Sequence, residues 1–126
     1  MTFITSSMEK ELFRITDTSN SEHYEWGDKC DGWHFVKTES LSVIRETMPS
    51  GTKEVIHYHD KAQQFFYIIT GIATFEINGL LYNVEQNRGI HIKPGIKHRI
   101  SNIGDSVLEF IVVSEPKSHD DRVNID

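Results

Sequence analysis

The stretch GTKEVIHYHDKAQQFFYIITG, residues 51–71, places two histidines one residue apart and follows them with aromatic and β-branched residues typical of a strand. Side chains alternate between the two faces of a β-strand, so His57 and His59 lie on the same face of the predicted sheet. If that face is the interior, each imidazole needs a hydrogen-bond partner or a metal ion, because a buried polar group without a partner is costly. The stretch therefore predicts a β fold with a polar or metal-binding interior.

The whole chain has the composition of one globular domain. Its 126 residues are 37% hydrophobic and 25% charged, which is enough for a single moderate core. The net charge of −6 argues against nucleic acid or an anionic membrane surface as the main partner, since both bind basic patches. The N-terminus MTFITSSMEKELF lacks the pattern of a signal peptide, and no run approaches the roughly 20 apolar residues of a membrane span. We therefore expect a cytoplasmic protein.

Short strand-like runs separated by turn residues begin at Trp33. The eight runs are WHFVKT, LSVIRETM, EVIHYH, QFFYIIT, IATFEIN, LLYNV, GIHIKP and VLEFIVVS. The pair Asn78-Gly79 predicts a hairpin between two of them, because both residues tolerate positive φ. No run favours a helix, so the pattern predicts an all-β sandwich or barrel.

The predicted β-barrel covers residues 33–115 and is flanked by two polar segments. Residues 1–32 are rich in Ser, Thr, Asn, Asp and Gly, the composition of an irregular surface segment. Residues 116–126 form a polar tail, and the charged run from Asp120 to Arg122 in it is interpreted as a solvated end.

A third histidine, His98, follows a Pro-Gly turn in GIHIKPGIKHRISN, residues 89–102. Two imidazoles from one strand and a third from another can converge on a metal ion inside a barrel. Three neutral nitrogen donors leave a coordination position for solvent or substrate, as in a catalytic site. Gln64 follows His59 by five residues and can bring an amide oxygen to the same centre.

In these residues the chain resembles the cupins, which carry two motifs. The first is Gly, five residues, His-x-His, three or four residues, Glu, six residues and Gly, and the second runs from Gly through a Pro-Gly turn to His, three residues and Asn. The first motif is matched by Gly51, His57, His59 and Gly71, with Gln64 in place of Glu. The second is matched by Gly89, Pro94, Gly95, His98 and Asn102, although the spacing before the proline is one residue shorter than in the commonest form.

The resemblance covers roughly residues 40–114 and implies a single-domain cupin, a double-stranded β-helix or jelly-roll-like barrel. It implies one divalent metal ion (zinc, iron, manganese or nickel) held by His57, His59 and His98. Gln64 is either a fourth ligand or a hydrogen-bonding residue of the pocket wall, and the six-residue gap to Gly71 favours it over its neighbour Gln63. A neutral amide in place of a carboxylate leaves the site closer to the full charge of the ion, which favours anionic substrates.

Three apolar residues and one acid complete the predicted site. Phe66 shares a strand face with Gln64, and we expect it to contact the substrate together with Met48 and Phe110. Glu46 shares its face with apolar neighbours in VIRETMPSG. A carboxylate on an apolar face is either a pocket acid or base with a raised pKa or a misassigned register.

Two functions follow from the resemblance. The first is a metal-dependent enzyme of the isomerase, cyclase, lyase or dioxygenase type, acting on a small anionic or polyoxygenated molecule with Glu46 moving protons. The alternative is a non-catalytic module that binds or senses a small sugar or organic acid. The resemblance also implies a homodimer formed by sheet extension, since exposed edge strands favour pairing.

Overall fold

The computed structural model describes residues 12–118 and 120–125, and the regular elements of this part of the chain are eleven β-strands. They are β1 (Glu22–Trp26), β2 (Cys30–Lys37), β3 (Ser42–Met48), β4 (His57–His59), β5 (Gln63–Thr70), β6 (Ala73–Ile77), β7 (Leu80–Val84), β8 (Gly89–Ile92), β9 (His98–Ser101), β10 (Leu108–Glu115) and β11 (Arg122–Asn124). Each of the eight predicted runs overlaps one of these strands, so the all-β prediction is confirmed. In the described residues no helix is long and apolar enough to cross a membrane.

The strands form two antiparallel sheets, in the orders β1-β2-β3-β10-β5-β8 and β11-β4-β9-β6-β7. From β3 to β10 the chain alternates between the sheets, except at the β6–β7 hairpin, which is the path of the predicted double-stranded β-helix. The predicted closure into a barrel is wrong, because no strand of one sheet is hydrogen-bonded to a strand of the other among the described residues. The sheets instead face each other as a sandwich, with the rings of Phe66 and Phe75 packed edge to face across the interior.

The inner face of the larger sheet changes from apolar to polar along its strands. In β5 the side chains of Gln64, Phe66 and Ile68 are buried, as the alternation predicted. On the neighbouring β10, Phe110 lies opposite Ile68, and Ser114 lies opposite Gln64. Buried aromatic and aliphatic side chains therefore fill one end of the sandwich, while polar side chains collect at the other.

The predicted hairpin at Asn78-Gly79 is confirmed. Asn78 has a φ of 49° and Gly79 a φ of 87°, and Ile77 pairs with Leu80 directly before and after the turn. Two successive residues with positive φ are the requirement of a type I′ turn, which matches the twist of the strands it joins.

The interpretation of residues 1–32 as an irregular segment is wrong for β1 and for the start of β2, and residues 1–11 lie outside the described part. Strand β1 pairs along its full length with β2. Tyr24 packs over Gly32, where a Cβ atom would lie 2.3 Å from the tyrosine ring. Tyr24 and Trp26 also pack against the hydrophobic core, which explains why a polar segment is held in the sheet.

The C-terminal tail is also part of the fold. Strand β11 pairs antiparallel with β4, so that Arg122 lies opposite His59 and Asn124 lies opposite His57. The side chains of Asp121 and Arg122 are 15% and 36% exposed. The interpretation of this run as a solvated end is therefore wrong for Asp121, whereas Arg122 is exposed but held in a strand.

Candidate metal centre and its cavity

The structure brings together the three histidines that the sequence singled out. His57 and His59 lie on β4, and His98 lies on the neighbouring β9 directly opposite His57. All three side chains are buried, and one ring nitrogen from each lies within 4.8 Å of the others. A single ion can be reached by all three at this spacing.

Each imidazole has a hydrogen-bond acceptor at Nδ1. The acceptors are the Val55 carbonyl for His57 (2.8 Å), the Ile96 carbonyl for His98 (2.8 Å) and the Asp121 carboxylate for His59 (3.1 Å). An Nδ1–H that donates to such an oxygen leaves the Nε2 lone pair free to bind a metal ion. The three rings therefore present Nε2 as the donor atom.

The three histidines are neutral at physiological pH. Burial lowers the pKa of His57 and of His98 to about 4, and it also lowers the pKa of His59. The nearby Arg122 guanidinium adds to this effect at His57. Since a metal ion binds the neutral imidazole, protons compete for these sites only under acidic conditions.

Two buried polar atoms at this end of the sandwich have no hydrogen-bond partner among the described residues: Gln64 Oε1 and His98 Nε2. Gln64 Nε2 donates to Ser114 Oγ at 3.0 Å, and both side chains are buried. Gln63, the other glutamine considered, is exposed and donates to Glu115 instead. Buried polar atoms are nearly always paired, and both orphaned atoms carry lone pairs, so a cation fits this environment. Imidazole nitrogen with an amide oxygen suits zinc, nickel, iron or manganese.

A cavity of about 140 Å³ adjoins the centre. It is lined by Tyr24, Trp26, Ile44, Glu46, Glu54, His57, His59, Gln64, Phe66, Val112, Ser114, Ser118 and Arg122. Of the three predicted substrate contacts, Phe66 lies in this wall. Met48 and Phe110 do not line it and are fully buried in the hydrophobic core, where the Phe110 ring packs behind Phe66 with centroids 5.8 Å apart.

Glu46, for which the sequence left a pocket position and a misassigned register as alternatives, lines the cavity. Tyr24 Oη donates a hydrogen bond of 2.5 Å to Glu46 Oε2. Burial raises the pKa of Glu46 to about 8, although the hydrogen bond from Tyr24 opposes the shift. Burial and the nearby carboxylate also raise the pKa of Tyr24, so its hydroxyl stays protonated. Glu46 therefore exchanges a proton close to neutral pH.

Sequence reasoning missed four polar residues around the centre: Tyr24, Glu54, Asp121 and Arg122. Glu54 accepts a hydrogen bond from the Ile100 backbone N–H (3.1 Å) and lies 3.6 Å from the Arg122 guanidinium. Burial raises the pKa of Glu54, and the charge of Arg122 opposes this. Tyr24 and Arg122 come from the two segments interpreted as irregular or solvated, so only the tertiary structure could place them here.

The fold agrees with the comparison to known families. A family model described as "Cupin domain" matches residues 44–114, more than half of the chain. This chain is a cupin. The cupin is 30% identical over 89 residues to the uncharacterized protein MJ1618 of Methanocaldococcus jannaschii, covering 70% of this chain and 71% of that protein.

Two further proteins are similar to this cupin. A mannose-1-phosphate guanylyltransferase of Salmonella montevideo is 29% identical over 96 residues, but the match spans 76% of this cupin and only 20% of that enzyme. The crystal structure of a predicted oxalate decarboxylase from Thermotoga maritima has a TM-score of 0.73 at 21% identity, covering 82% of this chain and 100% of the other. The structural likeness establishes the shared fold.

Proposed function

We propose that this cupin is a metal-dependent enzyme that acts on a small organic molecule in the cavity beside the centre. The observation that carries the proposal is the convergence of three buried, neutral imidazoles whose Nδ1 atoms are already occupied. His57, His59 and His98 would hold one divalent ion, and the orphaned Gln64 Oε1 would be the fourth protein ligand. Because none of these ligands is charged, the site favours an anionic or polyoxygenated molecule.

A divalent ion bound here supplies Lewis acidity, and iron or manganese would add redox chemistry. The chain supplies proton transfer and positioning. The raised pKa of Glu46, about 8, is close to neutral pH, so its carboxyl can give a proton to the bound molecule or take one from it. The Tyr24 hydroxyl holds the Glu46 carboxyl in place through Oε2, while Phe66 provides an apolar wall that excludes water.

The cavity limits the ligand to a small molecule. Its volume of about 140 Å³ lies well below the roughly 300–1,000 Å³ of pockets that hold drug-sized ligands. Arg122 lines the cavity with a partly exposed guanidinium, which suits a carboxylate group. A small carboxylic acid or a similarly oxygen-rich compound therefore fits the site best.

We also propose that the cupin forms a homodimer through an exposed sheet edge. Strand β7 is an edge of the smaller sheet and carries three consecutive exposed apolar side chains, Leu80, Leu81 and Tyr82. An apolar edge strand with unpaired backbone groups favours pairing with a second chain. Extension of the sheet across β7 would cover these residues.

The test of the metal proposal is elemental analysis of protein purified without a nickel column. Wild-type protein is compared with His57→Ala, which removes a ligand, and with His91→Ala, which removes an exposed histidine bonded to Gln63. We expect near-stoichiometric metal in wild type and in the His91 variant, and little in the His57 variant. Equal metal content in the two variants, or none in wild type after dialysis against divalent ions, contradicts the proposal.

Catalysis is separated from binding by incubating the metal-loaded protein with a panel of small carboxylic acids. Binding is followed by calorimetry, and consumption is followed by mass spectrometry. An acid that binds and is consumed supports the enzyme, with consumption lost in Glu46→Gln. Tight binding without consumption of any member favours the non-catalytic sensing module instead.

A further inference from the structure

Asp121 connects the C-terminal segment to the centre. It directly precedes β11, the strand that pairs with the histidine-bearing β4, and its side chain lies against the end of β4. In the chain it is 62 residues from His59, so the contact exists only because β11 folds back onto this sheet.

The two oxygens of the Asp121 carboxylate have different partners. Oδ1 lies 3.1 Å from His59 Nδ1, whereas Oδ2 accepts the backbone N–H groups of Lys61 (2.8 Å) and Ala62 (2.9 Å). The Asp121 carbonyl accepts a further hydrogen bond from the Asp60 N–H (3.2 Å). The carboxylate is thus anchored to the loop that follows His59, with one oxygen directed at the imidazole.

This arrangement differs from those at the other two histidines. His57 and His98 each donate to the carbonyl of the residue two positions earlier, a local contact provided by the segment that directly precedes each strand. His59 depends instead on a charged acceptor from a distant segment. A carboxylate at Nδ1 fixes the tautomer and the ring orientation, and it makes Nε2 a better donor than a neutral carbonyl would.

We propose that Asp121 is a positioning residue that holds His59 in the Nδ1–H tautomer with Nε2 directed at the metal, so that the C-terminal segment completes the centre. The inference rests on the proposed metal binding for its functional meaning. Its structural claim concerns one imidazole and can be measured without metal.

The decisive variant is Asp121→Asn, which keeps the shape of the side chain. The amide has one oxygen, which the two backbone N–H groups of Lys61 and Ala62 retain as their acceptor, so its nitrogen faces His59 Nδ1 and the Nδ1–H donor loses its acceptor. Asp120→Asn is the matched control, because Asp120 is exposed and contacts Lys117 rather than a histidine. Thermal unfolding of the full-length variants shows whether each is folded.

The first measurement is the tautomer of each histidine in the metal-free, full-length chain, read from long-range ¹H–¹⁵N NMR spectra. We expect His59 to change from a single Nδ1–H tautomer in wild type to a mixture in Asp121→Asn, while His57 and His98 stay unchanged as internal controls. If Asp121 only anchored the loop that follows His59, the substitution would leave the His59 tautomer unchanged. The inference is overturned if His59 keeps its tautomer, or if all three histidines change together.

The second measurement is zinc affinity, by competition with a chromophoric chelator. Loss of a carboxylate that orients a histidine ligand weakens metal binding by about ten- to a hundredfold, and we expect this for Asp121→Asn but not for Asp120→Asn. Wild-type affinity in Asp121→Asn overturns the role at the metal. If wild type itself binds no zinc but the His59 tautomer responds as expected, the proposed function fails while the positioning of His59 by Asp121 stands.

Discussion

Replacement of Glu46 by Gln should remove a pH-dependent loss of stability. Burial raises the pKa of Glu46 from 4.5 to about 8 in the folded protein. Between these values the folded chain holds a proton that the unfolded chain has released, so the free energy of unfolding falls as the pH rises. The loss begins above the unfolded pKa and is complete above the folded pKa.

The size of the effect follows from the shift. A rise of the Glu46 pKa from 4.5 to about 8 changes the free energy of unfolding by at most about 5 kcal/mol, at about 1.4 kcal/mol per pKa unit. Solvent at the open side of the cavity screens part of this, so we expect about 2 kcal/mol between about pH 5 and about pH 8. A glutamine at this position has no charged form, and its contribution does not vary with pH.

The assay is urea unfolding of metal-free wild type and Glu46→Gln at constant ionic strength across this pH range. Buried histidines such as His57 also make stability depend on pH, but the difference between the two proteins cancels their contribution. Glu85→Gln, which changes an exposed glutamate, is the control and should follow wild type. Parallel pH profiles for wild type and Glu46→Gln would show that Glu46 is ionised in the folded protein, and the proposed proton transfer would then lose its basis.

Two further substitutions test the ligand set and the oligomeric state. Gln64→Glu should bind zinc about tenfold more tightly, because a carboxylate is a better metal ligand than an amide. The metal-free variant should be less stable than wild type, since it buries a charge beside Ser114. Unchanged zinc affinity in a chelator competition would place Gln64 outside the ligand set. Leu81→Lys on β7 should convert a dimer to a monomer in light scattering, because it places a charge at the proposed interface. Leu81 is 68% exposed in the single chain, so the substitution should change the free energy of unfolding of that chain by no more than about 0.5 kcal/mol. Ile103→Lys, at an exposed loop position, is its control, and a monomeric wild type would refute the proposed dimer.

Much of the centre could be predicted because its residues follow local rules. The alternation of side chains along each strand placed His57 and His59 on the same face of β4, and Gln64 and Phe66 on the same face of β5. The Asn78-Gly79 turn followed from its backbone requirement, and for Glu46 the same alternation left a pocket position and a misassigned register as alternatives. Each of these predictions depends only on neighbours in the chain.

The local rules gave no signal for the residues that surround the ligands. Tyr24 reaches Glu46 across 22 positions of sequence, and Asp121 reaches His59 across 62. Both lie in polar segments whose composition is typical of loops, yet both segments form strands because they pair with the edge of an existing sheet. Edge pairing depends on backbone groups that every residue has, so composition does not reveal it.

The amino-acid sequence by itself therefore determined the β class, the strand faces and the set of histidines that meet in the interior, since these follow from the period of a strand and from turn chemistry. Only the tertiary structure decided that the sheets stay open, that Tyr24 bonds to Glu46 and that Asp121 holds His59. The physical reason is that these features depend on which backbone edges and which distant polar atoms meet when the two sheets pack, and no local pattern encodes those distances.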